Sequence, residues 1–121
     1  AATASMRLMT SRRVVEGLPA KVAALARALA PLQDHPHVGE IRQRGLMVGI
    51  ELVRDRASKA EYDYGLRVGH QVCQAARPLG AILRPLGNVV VLMPPLAMTE
   101  EELGRLAAIA VEGIERVTAR A

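Results

Sequence analysis

Residues 81–103 read "AILRPLGNVVVLMPPLAMTEEEL", and the pattern inside them sets the fold class. Two short apolar runs flank a Pro and a Gly, which predicts strands over Ala81–Pro85 and Val89–Met93 with a turn over Leu86–Asn88. Pro94 and Pro95 end the second strand, because proline has no N–H to give to a ladder. Thr99 stands three residues before Glu102, the spacing of a capping box, and Glu100, Glu101 and Glu102 suit the positive end of a helix. The only charge inside the two apolar runs is Arg84.

Beyond this hairpin and helix start, the periodicity alternates between the two secondary structures. Leu103, Leu106, Ile109 or Ala110, Ile114 and Val117 recur at helical spacing and predict the buried stripe of the last helix. Upstream, Leu66 to about Leu79 reads as a helix stopped by Pro78 and Gly80, and "RDRASKAEYDYG" before it as a charged, exposed connection. "VGEIRQRGLMVGIELV" alternates, with Leu46, Val48, Ile50 and Leu52 on one face, so it predicts a strand pair or a bent strand in which Gly45 and Gly49 mark a bend or a close approach. "VVEGLPAKVAALARALAPL" is helical, with Leu18, Val22, Leu25, Leu29 and Leu32 as its core stripe, Pro19 tolerated in the first turn and Pro31 at the end. Ala1 to about Arg12 is read as a further helix carrying Met6 and Met9. The expected fold is α+β, a small and mostly antiparallel sheet packed on helices.

A chain of 121 residues suffices for one core, burying about two-thirds of the surface its unfolded form exposes. There is no Phe or Trp, and Tyr62 and Tyr64 are the only tyrosines, so the core is aliphatic and platforms for stacking bases are missing. The net charge of +4 comes from scattered groups, Arg12 and Arg13, Arg42 and Arg44, Arg54 and Arg56, with Glu16, Glu40, Glu51 and Asp55 among them. That distribution describes a solvated surface and argues against a nucleic-acid partner. "NVVVLMPPLAM" is broken by two prolines and falls short of the ~20 residues that span a bilayer, so no membrane partner is expected. One cysteine, Cys73, excludes an internal disulfide, fits a reducing, cytoplasmic setting and reads as a small buried hydrophobe.

Few residues carry chemistry. His35 and His37 flank a proline beside Asp34, but a zinc site takes three or four protein ligands and nothing nearby completes the set, so no metal is expected. Ser5, Ser11 and Ser58 have no elbow glycines, and no phosphate-binding glycine loop is present. Lys21 on a helix and Lys59 in the charged connection do not resemble desolvated Schiff-base lysines. Arg84 remains. Its guanidinium is permanently charged and matches a carboxylate with paired charge-assisted hydrogen bonds, and its place where a strand enters a turn puts it at the rim of the sheet. A strand-end Arg that snorkels to water or pairs with a local acid is the competing reading.

"LPAKVAALARALAPLQDHPHVGEIRQRGLMVGIELVRDR" followed by "LGAILRPLGNVVVLMPPLAMTEEEL" resembles the C-terminal part of the class III, fold type I, pyridoxal-phosphate aminotransferases. The resemblance implies a C-terminal small domain over residues 13–121, with 1–12 as the remainder of a helix from the junction with a large domain. It implies that Arg84 binds the carboxylate of a keto acid, that an amino donor is the second substrate, and that the parent enzyme is a homodimer using pyridoxal 5'-phosphate. The Schiff-base lysine, the acid paired with the pyridine nitrogen and the aromatic stacked on the cofactor belong to the large domain, as does the "NP" segment that precedes this region. None is present in this sequence, and Ala1 does not open on Met, so the expectation is a fragment that holds no cofactor and is inactive alone. The alternatives are a stand-alone carboxylate-binding module or a noncatalytic remnant with an exposed apolar face.

Overall fold

The computed structural model describes residues 1–120. Helix α1 (Ala2–Ser11) leads through Arg13, at φ 47, into α2 (Val14–Ala28), and a single 3-10 turn closes α2 over Ala30–Leu32. Strands β1 (Val38–Arg44) and β2 (Met47–Asp55) follow, then the short β3 (Ala60–Glu61), α3 (Val68–Ala76), β4 (Arg84–Leu86), β5 (Val89–Leu92) and α4 (Glu100–Thr118). All strand pairs are antiparallel, in the order β1-β2-β5-β4, and β3 adds to the end of β2. The α+β layer read from the sequence is the layer observed.

Alternation on β2 decides which way the sheet faces. Val48, Ile50 and Leu52 are buried at 1% exposure or less, together with Val90 and Leu92 of β5. Against this face pack Leu25 and Leu29 of α2, Val68 and Val72 of α3, and Leu103, Ala107, Ala110 and Ile114 of α4. The α4 stripe differs from the expected one by a small rotation: Ala107 and Ala110 are fully buried, while Leu106 and Ile109 are only half-buried. Alanines let the helix axis approach the sheet and α3, and the bulkier pair is turned to the flank. The capping box is present as read, with Glu102 N–H donating to Thr99 Oγ1 at 3.1 Å and Thr99 N–H donating to Glu102 Oε2 at 2.9 Å.

"VGEIRQRGLMVGIELV" is a strand pair, with the two-residue turn Gly45–Leu46 between Arg44 and Met47. The second hairpin, β4–β5, turns at Gly87–Asn88 between Leu86 and Val89. Each turn has a positive φ only at its first residue, 62° at Gly45 and 58° at Gly87, the position that a type II′ turn reserves for glycine.

Three expectations are corrected. Strand β4 begins at Arg84 and not at Ala81: its ladder to β5 ends at the Arg84–Val91 pair, and Ala81–Leu83 lie outside it. The third helix begins at Val68 and not Leu66, since Arg67 takes a left-handed φ of 50° after a 3-10 turn over Tyr64–Leu66. The "RDRASKAEYDYG" connection is only partly exposed: it contains β3, and Tyr62 is buried at 4% exposure.

The α3 N-terminus rests directly on the second hairpin turn. A Cβ built on Gly69 would lie 2.3 Å from the Gly87 carbonyl oxygen, so only glycine admits this approach. Gly69→Ala should therefore push the turn away from α3 and destabilise the fold by about 1–3 kcal/mol, the usual cost of overpacking, measured by denaturant unfolding.

Candidate functional site

The outer face of the sheet, opposite the helices, is composed row by row from the strand register. One row runs Arg42, Gly49, Val91, Arg84, and the next Glu40, Glu51, Val89, Leu86. The two arginines thus sit at opposite edges of one four-strand row, about 14 Å apart at the usual strand spacing. Their surroundings differ. Arg42 is held by Glu40 at 2.8 Å and Glu51 at 3.4 Å, and hydrogen bonding to Glu40 leads the causes that raise its pKa. The Arg84 side chain has no hydrogen bond or ion pair among the described residues, and Glu51, on the next row of the same sheet face, is already engaged by Arg42.

What surrounds Arg84 is apolar. Leu86 on the same strand is 68% exposed, and Met93 beyond β5 and Ile82 before β4 are 70% and 88% exposed. A cleft of about 630 Å³ opens along this edge of the domain between the β4–β5 hairpin and α4. Ile82, Met93, Met98 and Leu106 form apolar wall, Arg84 and Arg105 lie on it, and its one acid, Glu102, is committed to the α4 cap. An unpaired guanidinium beside apolar wall suits a carboxylate that carries an aliphatic chain. The sequence placed Arg84 at a strand-to-turn junction; it opens β4 instead, two residue pairs before the pair that closes the turn.

The remaining candidates are accounted for by local contacts. His37 Nδ1 lies 3.0 Å from the Tyr62 hydroxyl and 3.3 Å from the Val53 carbonyl oxygen, and His35 Nδ1 accepts the His37 N–H at 3.1 Å. Burial raises the pKa of the Tyr62 hydroxyl. The sequence reading missed this network because Tyr62 falls in a charged stretch; its ring among polar residues was the one signal. Cys73 is buried, and that burial pushes its thiol pKa up, against the opposing pull of Arg77, so the thiol is inert packing. Lys21 donates to the Leu96 carbonyl oxygen at 2.7 Å, and Lys59 is exposed in a turn at φ 55. Neither lies in an enclosed pocket with an acid to meet a pyridine nitrogen, so the residues present do not fit a pyridoxal-phosphate site.

The family Aminotransferase class-III matches residues 1–116, and the chain belongs to that family. Its relatives include adenosylmethionine-8-amino-7-oxononanoate aminotransferases from Nitratidesulfovibrio vulgaris, 51% identical over 88% of this chain and 20% of the relative, and from Geobacter sulfurreducens, 47% identical over 95% and 24%. The crystal structure of the Methanocaldococcus jannaschii enzyme of that name superposes with a TM-score of 0.91 at 37% identity, over 95% of this chain and 26% of that one. An omega transaminase from Pseudomonas jessenii in complex with PMP matches with a TM-score of 0.86 at 33% identity, over 93% and 25%. The chain thus spans about a fifth to a quarter of the length of the relatives it matches. No helix among the described residues is long and apolar enough to cross a membrane.

The His35 contact makes stability depend on pH. Burial, then the neighbouring His37, lowers the His35 pKa below its ordinary 6.5, with Glu115 opposing, and its Nδ1 must stay unprotonated to accept the His37 N–H. The unfolded chain therefore binds a proton at His35 more readily than the folded one. Its contribution is full above the unfolded pKa of 6.5 and is lost as pH falls through the lowered folded value. The melting temperature should drop between about pH 7.5 and about pH 5.5, and His35→Asn, which keeps an acceptor that does not titrate, should flatten that slope.

Proposed function

We propose that residues 13–121 are the small domain, and 1–12 the end of the junction helix, of a pyridoxal-phosphate-dependent aminotransferase that uses S-adenosylmethionine as amino donor and 8-amino-7-oxononanoate as acceptor. The product is 7,8-diaminononanoate, a step of biotin synthesis. The cofactor is held by residues of the large domain, which is the partner of the outer sheet face, and the parent enzyme is a cytoplasmic homodimer. Within the class, the combination "LRPLG", "VVLMPPL" and "TEEEL" resembles this enzyme. The relatives of highest identity given above carry its name.

One observation carries the substrate reading: Arg84 is a cation without an acid on a face where the other arginine is doubly paired. In this reading Arg84 grips the acceptor's carboxylate and the apolar residues around it receive the aliphatic chain, so the keto group is held at a fixed distance. Orientation of that kind supplies several kcal/mol of barrier reduction. The similarity to the Pseudomonas jessenii enzyme supports a second reading, an omega-aminotransferase with another carboxylate-bearing acceptor. A panel of acceptors separates the two.

Arg84→Ala in the full-length enzyme should raise KM for 8-amino-7-oxononanoate about 10- to 100-fold, from the loss of charge-assisted hydrogen bonds. Arg84→Lys should recover only part of it, because an ammonium does not reproduce the planar fork. The melting temperature should hardly move, since the guanidinium has no protein partner to lose. An unchanged KM in Arg84→Ala would remove the assignment.

A further inference from the structure

Strand β4 is a weak platform for the group it presents. It has three residues, and it lies at the edge of the sheet, paired on one side only. The segment before it, Ala81–Leu83, is outside the ladder. The hairpin is held through β5, which pairs with β2 from Val89 to Leu92, and at its tip Asn88 makes two further polar contacts. Its backbone carbonyl accepts the Leu52 N–H at 2.8 Å, extending the β2–β5 ladder by one bond. Its side-chain Nδ2–H donates to the Tyr62 carbonyl oxygen at 3.0 Å. Tyr62 is itself immobile, buried at 4% exposure with its hydroxyl against His37 Nδ1.

We infer that Asn88 is a positioning residue for Arg84: its amide ties the hairpin tip to Tyr62 and so sets the direction in which β4 delivers the guanidinium. From the tip the pairs run Leu86 with Val89, Pro85 with Val90, then Arg84 with Val91; β5 is held by β2, so the set of the turn bears on how the short edge strand β4 lies against β5 and hence on Arg84. Asn88 itself does not line the cleft that holds Arg84. This assignment rests on the reading that Arg84 receives the acceptor's carboxylate.

The test is a set of dissociation constants measured by calorimetry on the full-length enzyme, for 8-amino-7-oxononanoate and for its methyl ester. Asn88→Asp keeps the side chain's shape and sets an acceptor against the Tyr62 carbonyl. It should weaken binding of the acid about 5- to 10-fold and leave the ester unchanged. In an Arg84→Ala background the same substitution should add nothing, because the two residues act through one contact. Where Asn88→Asp does not fold, Asn88→Gly, which suits the turn, serves the same comparison. Equal weakening of acid and ester, full additivity with Arg84→Ala, or normal binding would each overturn the assignment. An Arg84→Ala enzyme that binds the acid normally would instead remove the functional reading beneath it.

Discussion

Burial of one face of β2 is the constraint on which the rest of the molecule depends. β2 is the strand paired with β1, β5 and β3, so its facing direction is imposed on every other strand. Val48, Ile50 and Leu52 together remove enough apolar surface to stabilise the fold by about 5–8 kcal/mol, at the usual value for fully burying such side chains. A slip of one residue would turn all of them to the outer face and bring Gly49 and Glu51 into the core, so the register is firmly specified. The outer face is the complement of that choice. Gly49 outward, paired to Val91, puts Arg84 outward too.

The parts that were legible in the sequence are those where one local signal and the packing demand agree. The β1–β2 alternation, the α2 leucine stripe and the Thr99 capping box each needed only residues within one element, and each is present. Parts that depend on distant partners were misplaced. Nothing in "AILRP" alone says that Ala81 lies outside the ladder; where the pairing stops is set jointly with β5, on the other side of the hairpin. The burial of Tyr62 depends on His37 and Asn88, each at least 25 residues away. For the same reason Arg84 could be singled out by its charge among apolar residues, whereas its lack of a partner emerged only when Arg42 was found holding Glu51 across the sheet.

The contrast between these two arginines bears on what the outer face is for. An edge strand with an exposed cation is a common guard against edge-to-edge pairing, and that role alone would account for a charge on β4. It does not account for the apolar residues around it. A guard works by keeping an edge hydrated, and Ile82, Leu86 and Met93, each more than two-thirds exposed, work against hydration. In an isolated domain such residues invite association; under a covering surface they become the dry wall that strengthens a charge-assisted hydrogen bond. The chain spans a fifth to a quarter of the length of its relatives, and in the proposed reading the large domain supplies that cover.

Arg84 is exposed in this chain, so its guanidinium is solvated and costs little while unpaired; under a covering surface it would become a charge that needs a counter-anion. Arg42, itself about half exposed, is paired with Glu40 and Glu51, whereas no carboxylate among the described residues is paired with Arg84. On the Arg84 cleft the one acid is Glu102, and it is tied to the Thr99 N–H at the start of α4. Glu102 in the capping box secures the start of the helix, and that contact occupies one of its carboxylate oxygens. In the proposed reading, selectivity follows from the same arrangement: under a covering surface a neutral ligand would leave the cation unpaired, so a ligand bearing a carboxylate would be favoured over an uncharged analogue of equal size.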